Sequence, residues 1–248
     1  SRGLGDVYKR QPDGYTLLIG NQGPMVVNPH IFKLRNDPAE TLDPIAMIAD
    51  AQLVVVAGPS LQVNSMQELL EKAKQDQLVY GSAGNASASH VATLLLGQMA
   101  GIKLKHVPYK GAGPAINDLL GGHVDFMVTT VPSVIGLVQD GTLKALAVTG
   151  KERFEALPDV PTVAESGLPE YSASAWYGLL GPKGLPEDVR AKLAAGTEET
   201  LRDPAFIESL QKDGGVPSHL VGQDFADFMA AERARWGEVV KAADIKVE

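Results

Sequence analysis

The chain of 248 residues contains no cysteine, few aromatic residues and no excess of positive charge. The absence of cysteine excludes disulfides, thiolate metal ligands and cysteine nucleophiles. The formal net charge of -8 argues against a nucleic-acid partner, because a phosphate backbone is bound by a basic surface. No apolar run approaches the roughly 18 to 20 residues that span a bilayer. What remains is an ordinary globular composition with 44% hydrophobic and 21% charged residues.

Motifs for catalysis and for metal or cofactor binding are also missing. The glycines around Ser82 do not form a nucleophile elbow, and the glycines at 111 and 113 lack the third glycine of a dinucleotide fingerprint. The histidines are scattered along the chain, at His30, His90, His106, His123 and His219. Because they show no metal-ligand spacing, we expect no metal site. Because the catalytic and cofactor-binding motifs are missing, we also expect no cofactor and no catalytic residue.

The order of apolar segments predicts an α/β fold with two lobes. A strand is expected at Tyr15–Ile19, and between Leu53 and Thr149 strands alternate with amphipathic helices, which is typical of a parallel sheet covered by helices. The apolar stripe of a last helix, from about 224 to 243, is interpreted as core. We assign residues 12–58 with 172–248 to the first lobe and residues 59–171 to the second. Two chain crossings between lobes would form a hinge.

Three polar loops follow predicted strands of the second lobe, at residues 82–89, 107–114 and 129–133. The first belongs to LVYGSAGNASASH at Leu78–His90, where a strand runs into the start of a helix. A carboxylate placed there would accept hydrogen bonds from unpartnered N–H groups and be favoured by the helix dipole. The alternative stays open that each loop is turn or capping chemistry, since sequence alone does not bring the loops together.

Individual residues near these loops have competing interpretations. His90 is a candidate imidazolium contact for an anion, although a partly exposed helix residue is the favoured interpretation. Tyr109 offers a hydroxyl and a flat face. Lys110, the one cation in the three loops, is interpreted as facing solvent. Asn21 and Gln22 would supply donors from the other lobe or form a simple turn before Gly23.

Several motifs occur along the chain in a fixed order: PDGYTLLIG at 12–20, NPHIF at 28–32, YGSAGNASASH at 80–90, HVPYKGAGPAINDLLGGHVDFM at 106–127, LKALAVTG at 143–150, LPDVPTVAESGLP at 157–169 and AWYGLLGP at 175–182. Through them the chain, from Pro12 onwards, resembles the Bug/TctC family, the substrate-binding proteins of tripartite tricarboxylate transporters. The resemblance implies a two-lobed periplasmic binding-protein fold of type II, each lobe a mostly parallel sheet flanked by helices.

The resemblance also implies the function. A member of this family binds a small organic carboxylate between its lobes in the periplasm and delivers it to the permease subunits of the transporter, as a monomer and without catalysis. The family grips the carboxylate at the loop that matches 82–89. The predicted ligand-binding residues are Asn21, Gln22, Ser82, Gly84, Asn85, Ser87, His90, Tyr109, Thr129, Thr130 and Trp176.

Residues 1–11 depart from the family, which begins with a strand and a glycine-rich loop that closes on the ligand. We interpret SRGLGDVYKRQ as a foreign or damaged lead sequence that leaves the first lobe incomplete, and we expect weak or absent ligand binding as a result. Two other functions stay open. An effector-sensing domain of a regulator would be supported by a helix-turn-helix before Pro12, and an enzyme would require a catalytic group in the cleft. Neither feature is visible.

Overall fold

The computed structural model describes residues 11–212 and 214–243. The interpretation of residues 1–11 as a lead sequence falls, except for Gln11, outside the described residues. Strands within them are β1 Leu18–Asn21, β2 Leu42–Ala57, β3 Val79–Ser82, β4 Lys105–Pro108, β5 Phe126–Thr130, β6 Lys144–Val148, β7 Ser174–Pro182 and β8 Gly215–Pro217. Helices are α1 Asn28–Ile31, α2 Pro38–Thr41, α3 Met66–Gln75, α4 Ala88–Ala100, α5 Ala112–Leu120, α6 Val131–Gln139, α7 Glu187–Thr200, α8 Pro204–Lys212 and α9 Gln223–Ala242, with a π-helical turn at Gly23–Val27.

The chain forms two compact units. Unit 1 contains Ser1–Ala51 and Trp176–Glu248, and unit 2 contains Gln52–Ala175. The chain passes from unit 1 to unit 2 within β2 and returns within β7. The predicted lobe boundaries, after residue 58 and after residue 171, stay a prediction.

The sheet of unit 2 has the strand order β4-β3-β5-β2-β6. β3 is parallel to β4 and to β5, as the alternation of strands and helices predicts. β2 is antiparallel to both β5 and β6, because it enters the sheet from unit 1 rather than through a helical crossover. The α/β fold class is confirmed, with a sheet that is mixed where a mostly parallel one was expected.

Local signals in unit 2 act as the sequence predicts. The apolar run Leu53–Ala57 of β2 is buried along its whole length, as expected for a strand covered on both faces. Ser65 caps α3 by accepting a hydrogen bond from the Glu68 N–H, at 3.2 Å. Gly101 ends α4 with a left-handed φ of 64°. These local features fix where the helices begin and end.

Unit 1 pairs β1 with β7 in antiparallel register, with Leu18 opposite Leu180 and Asn21 opposite Tyr177. The strand predicted at Tyr15–Ile19 therefore begins later than expected. The cause is a turn in which the Asp13 carboxylate accepts the Tyr15 N–H at 3.0 Å. As a result Asn21 lies within the strand, whereas the prediction placed it after the strand.

The last helix, α9, packs its apolar stripe into unit 1. Its side chains Phe225, Trp236, Val239 and Val240 are buried, which confirms that this stripe is core. Within residues 11–212 and 214–243, no helix has both the length and the apolar character needed to cross a membrane.

Candidate functional site

The candidate site lies in unit 2, at the edge where the parallel strands β3, β4 and β5 end. Register places Ser82 at the end of β3 beside Pro108 at the end of β4. The loop after β4 is then held to the loop after β3, since the N–H of Tyr109 donates to the Ser82 carbonyl at 3.0 Å and that of Gly111 to the Ala83 carbonyl at 3.1 Å. Ligands commonly bind at this edge of an α/β sheet.

The loop between β3 and α4, residues 83–87, has an unusual backbone. Gly84 has a φ of 135°, which favours glycine, and Ala86 has a φ of 61°, the left-handed conformation that residues with a Cβ rarely adopt. Ser87 follows as the N-cap of α4, and its hydroxyl accepts the His90 N–H at 3.3 Å. The loop thus turns sharply and directs the chain into the helix.

The serine hydroxyls of this loop bind the loop itself. Ser82 and Ser87 both donate to the Gly84 carbonyl, at 3.1 and 2.7 Å. The Ser89 hydroxyl lies 2.9 Å from that of Ser87 and accepts the Ala83 N–H, also at 2.9 Å. Because each hydroxyl carries one proton, these serines have little donor capacity left for a ligand. Ser82 is 0% exposed, and the ligand contact predicted for it stays a prediction.

Backbone N–H groups at the start of α4 are the donors that the loop leaves for an anion. The first intrahelical bond runs from the Val91 N–H to the Ser87 carbonyl, at 3.0 Å. The N–H groups of Ala88 and Ser89 precede that bond and have no acceptor within the helix. Asn85 is exposed beside them. A carboxylate at this point would bind to neutral donors and to the positive end of the helix dipole.

Two histidines stack behind the loop. The rings of His90 and His106 are 4.0 Å apart and inclined by 8°, and Tyr80 stacks on His106 at 4.8 Å. His90 Nδ1 accepts the Ala86 N–H at 3.1 Å, and His106 Nε2 lies 2.6 Å from Ser82 Oγ. His90 and His106, which are far apart in the sequence, therefore form one structural unit.

Burial keeps both imidazole rings neutral. It lowers the pKa of His90 to about 3, with a further contribution from the nearby His106, and lowers the pKa of His106 to about 4. The interpretation of His90 as a partly exposed helix residue is wrong, because the residue is only 4% exposed. Its contact with a ligand stays a prediction, and the lowered pKa means that a neutral ring would make that contact.

The other predicted residues of unit 2 are bonded within the protein. The Tyr109 hydroxyl donates to Asp118 at 2.6 Å, and burial together with that carboxylate raises its pKa to about 12. Thr129 is 3% exposed, and the Thr130 hydroxyl lies 2.7 Å from that of Ser133. Lys110 is exposed, as predicted. The hydroxyl of Tyr109 is thus taken by Asp118, and the ring remains the part able to contact a ligand.

The remaining predicted residues, Asn21, Gln22 and Trp176, belong to unit 1. Trp176 is 0% exposed and makes an edge contact with Phe225 at 5.6 Å, and its indole N–H has no hydrogen-bond partner within the described part of the chain. Its ligand contact stays a prediction. Gln22 is 2% exposed, and its side-chain amide has no hydrogen-bond partner within the described part of the chain. Ligand contacts of Asn21 and Gln22 stay a prediction.

The site contains one pair of side chains that resembles part of a catalytic arrangement. Ser82 and His106 form a close hydroxyl–imidazole pair, but Ser82 is fully buried and donates its proton to Gly84. A buried hydroxyl without access to substrate is not an activated nucleophile. Among residues 11–212 and 214–243, no group of three acidic or histidine side chains is arranged to hold a metal ion.

Known proteins resemble this chain over nearly its whole length. The model of the "Tripartite tricarboxylate transporter family receptor" family matches residues 3–245. Protein BugT of Bordetella pertussis is 32% identical over 244 residues, which cover 97% of this chain and 75% of that protein. Both matches extend over nearly the whole chain and therefore include both units.

Solved structures give the same result. R. palustris Rpa4515, solved with adipate, has a TM-score of 0.88 at 31% identity, covering 98% of this chain and 83% of that one. MatC (Rpa3494) from Rhodopseudomonas palustris, solved with bound malate, has a TM-score of 0.82 at 29% identity, covering 96% of this chain and 83% of that one. The similarity in backbone is therefore as extensive as the similarity in sequence.

Proposed function

The chain belongs to the family of tripartite tricarboxylate transporter receptors, and from this premise we propose that it binds a small organic carboxylate and delivers it to a membrane permease. Proteins of this family are solute-binding proteins and not enzymes. The resemblance inferred from the sequence motifs is thereby confirmed. Delivery requires that the permease distinguishes the loaded from the empty receptor, which needs a ligand that favours one conformation.

One observation supports a carboxylate ligand above all: the start of α4 offers the Ala88 and Ser89 N–H groups while the nearby serine hydroxyls are already bonded. Such a site suits an anion that accepts several hydrogen bonds. The two related structures hold adipate and malate, both of which are dicarboxylates. We therefore place one carboxylate of the ligand at this loop.

The partners and location follow from the family. Its receptors are periplasmic, and we propose the same location for this chain. The permease subunits of the transporter are the proposed protein partner, and a monomer is the proposed state. The enclosure of the ligand between two lobes stays a prediction.

A proline at the first position of α4 tests the carboxylate site. Ala88→Pro removes one N–H donor, and proline is well tolerated at this position of a helix. The preceding residue, Ser87, already has φ -67° and ψ 159°, which suit a residue before proline. We expect Ala88→Pro to bind adipate or malate at least about tenfold more weakly, because a hydrogen bond to a charged group is lost.

The matched control is Glu187→Pro, at the first position of α7, where Pro186 has a ψ of 142°. This variant should retain wild-type affinity, and both variants should melt within a few degrees of wild type. Binding is measured by isothermal titration after a thermal-shift screen of mono-, di- and tricarboxylates. A screen in which no organic acid raises the melting temperature would refute the proposed function. Equal affinity of Ala88→Pro and wild type would refute the assigned site.

A further inference from the structure

We propose that His90 and His106 are positioning residues: the stacked pair holds the loop at residues 83–87 in the conformation that directs the N–H groups of α4 at a carboxylate. This inference rests on the proposed function and deepens it. It assigns a role to two side chains, the buried His90 and the half-buried His106, which lie behind the loop and need not touch the ligand.

The first contact between the histidine pair and the loop is the one between His106 and Ser82. The Ser82 hydroxyl donates to the Gly84 carbonyl at 3.1 Å and accepts the Gly84 N–H at 3.2 Å. With its proton directed at Gly84, Oγ has a remaining lone pair for an Nε2–H donor, and His106 Nε2 lies 2.6 Å away. His106 with its proton on Nε2 therefore completes the bonding of Ser82, which holds both backbone polar groups of Gly84.

The second connection runs from His90 to Ala86. His90 Nδ1 accepts the Ala86 N–H at 3.1 Å, and Ala86 has the left-handed φ of 61°. A residue with a Cβ holds this conformation only when surrounding contacts impose it. Nδ1 can accept this bond only without a proton, so the geometry requires a neutral ring. Ala86 immediately precedes the N-cap Ser87, and its conformation sets the direction of the helix start.

Stacking couples the two connections. The His90 and His106 rings are 4.0 Å apart, and Tyr80 packs on His106 at 4.8 Å and on Phe126 at 6.0 Å. The four rings come from α4, β4, β3 and β5, which are the elements that end or begin at the site. A displacement of one imidazole would move the other, and with it the Gly84 and Ala86 bonds. The pair therefore acts as one support.

Variants of His106 separate positioning from simple packing. His106→Phe keeps a flat ring in the stack but removes the bond to Ser82, whereas His106→Gln loses the ring but carries an amide nitrogen able to bond Ser82. Ser82→Ala removes the same bond from the other side. His123→Phe is the control, because His123 is exposed and precedes β5, at the opposite end of that strand from the site.

Two measurements are made on each variant. Hydrogen exchange of residues 83–90 is followed without ligand, and affinity is measured by titration with adipate and with malate. We expect His106→Phe and Ser82→Ala to exchange about tenfold faster in this segment and to bind about tenfold more weakly, as the loss of a buried hydrogen bond implies. His106→Gln should recover part of both losses, and His123→Phe should match wild type.

The reverse order would overturn the proposal. If the pair only fills space, His106→Phe binds as well as or better than His106→Gln. Unchanged loop exchange in His106→Phe and Ser82→Ala would overturn it as well. Failure of the proposed function is recognised separately, because the wild-type protein would then bind neither probe before any variant is compared.

Discussion

Acidification from pH 7 to pH 5 should destabilise unit 2, because the buried His90 and the half-buried His106 are both held as neutral rings. In an unfolded chain a histidine has a pKa of about 6.5. In the folded protein burial lowers the pKa of His90 to about 3 and that of His106 to about 4. The unfolded state therefore binds more protons throughout this window. Stability is fully present above pH 6.5 and is lost as the pH falls toward the folded pKa values.

The size of the effect follows from the same pKa values. At pH 5 each unfolded histidine is almost fully protonated while each folded one is largely neutral, which for the buried His90 costs about 2 kcal/mol relative to pH 7. His106 is only half-buried, so solvent screening makes its contribution smaller. The pair should therefore lower the free energy of unfolding by about 2 to 3 kcal/mol. The neighbouring Tyr80 stays neutral, since burial raises its pKa further. Asp37 and Asp43 have lowered pKa values, so they are protonated only in more acidic solution.

Urea unfolding at pH 7, 6 and 5, followed by circular dichroism, measures this loss. The reference is the double variant H90Q/H106Q, whose side chains at these positions do not titrate. Its stability at pH 7 will differ from wild type, so the comparison is between the two pH slopes. Proton resonances of the two rings should also show no titration above pH 5. An equal slope in wild type and double variant would refute the reasoning.

Two further predictions concern stability. Gly101→Ala should cost about 1 kcal/mol, because φ is 64° although no atom lies within 4 Å of the added Cβ, whereas Gly136→Ala, inside α6 and equally uncrowded, should stabilise by about 0.5 to 1 kcal/mol. Equal effects in thermal unfolding would contradict this. Asp37→Asn should cost about 1 to 2 kcal/mol, because Asp37 accepts two bonds from the Arg233 guanidinium and its pKa is lowered chiefly by that bond. Glu187→Gln, at an exposed ion pair, should change urea stability by less than about 0.5 kcal/mol, and a loss as large as that of Asp37→Asn would argue against the difference in burial.

Elements with local causes were predictable from the sequence. The cap at Ser65, the helix end at Gly101 and the buried run at Leu53–Ala57 all depend on residues adjacent in the chain. The start of β1 was misplaced because a turn hydrogen bond, from the Tyr15 N–H to Asp13, competes with the strand. The antiparallel direction of β2 was also missed, since a strand's apolar pattern is the same in either direction.

One part of the candidate site was predictable from the sequence, and another part was not. Its position at the loop after β3 was predictable, because a polar loop between a strand and a helix start has a recognisable pattern. The role of each side chain was not. The sequence did not show that the hydroxyls of Ser82 and Ser87, both predicted as ligand contacts, donate to the Gly84 carbonyl. Hydroxyl direction depends on which acceptors surround the group, and a sequence does not list neighbours in space. His106 lies opposite Tyr80 only because β3 and β4 pair in parallel, so no signal in the sequence pointed to its role.

The sequence by itself determined the family, the α/β class and the place of the helix start at which we propose that an anion binds, because these are carried by contiguous motifs and by apolar periodicity. Only the tertiary structure decided which groups remain to bind a ligand. His106 and Ser82 are 24 residues apart and meet because β3 and β4 pair in parallel, and His90 is buried against them by the packing of α4. Burial and strand pairing depend on contacts between residues far apart in the chain. Such contacts stack the two histidine rings and keep them neutral.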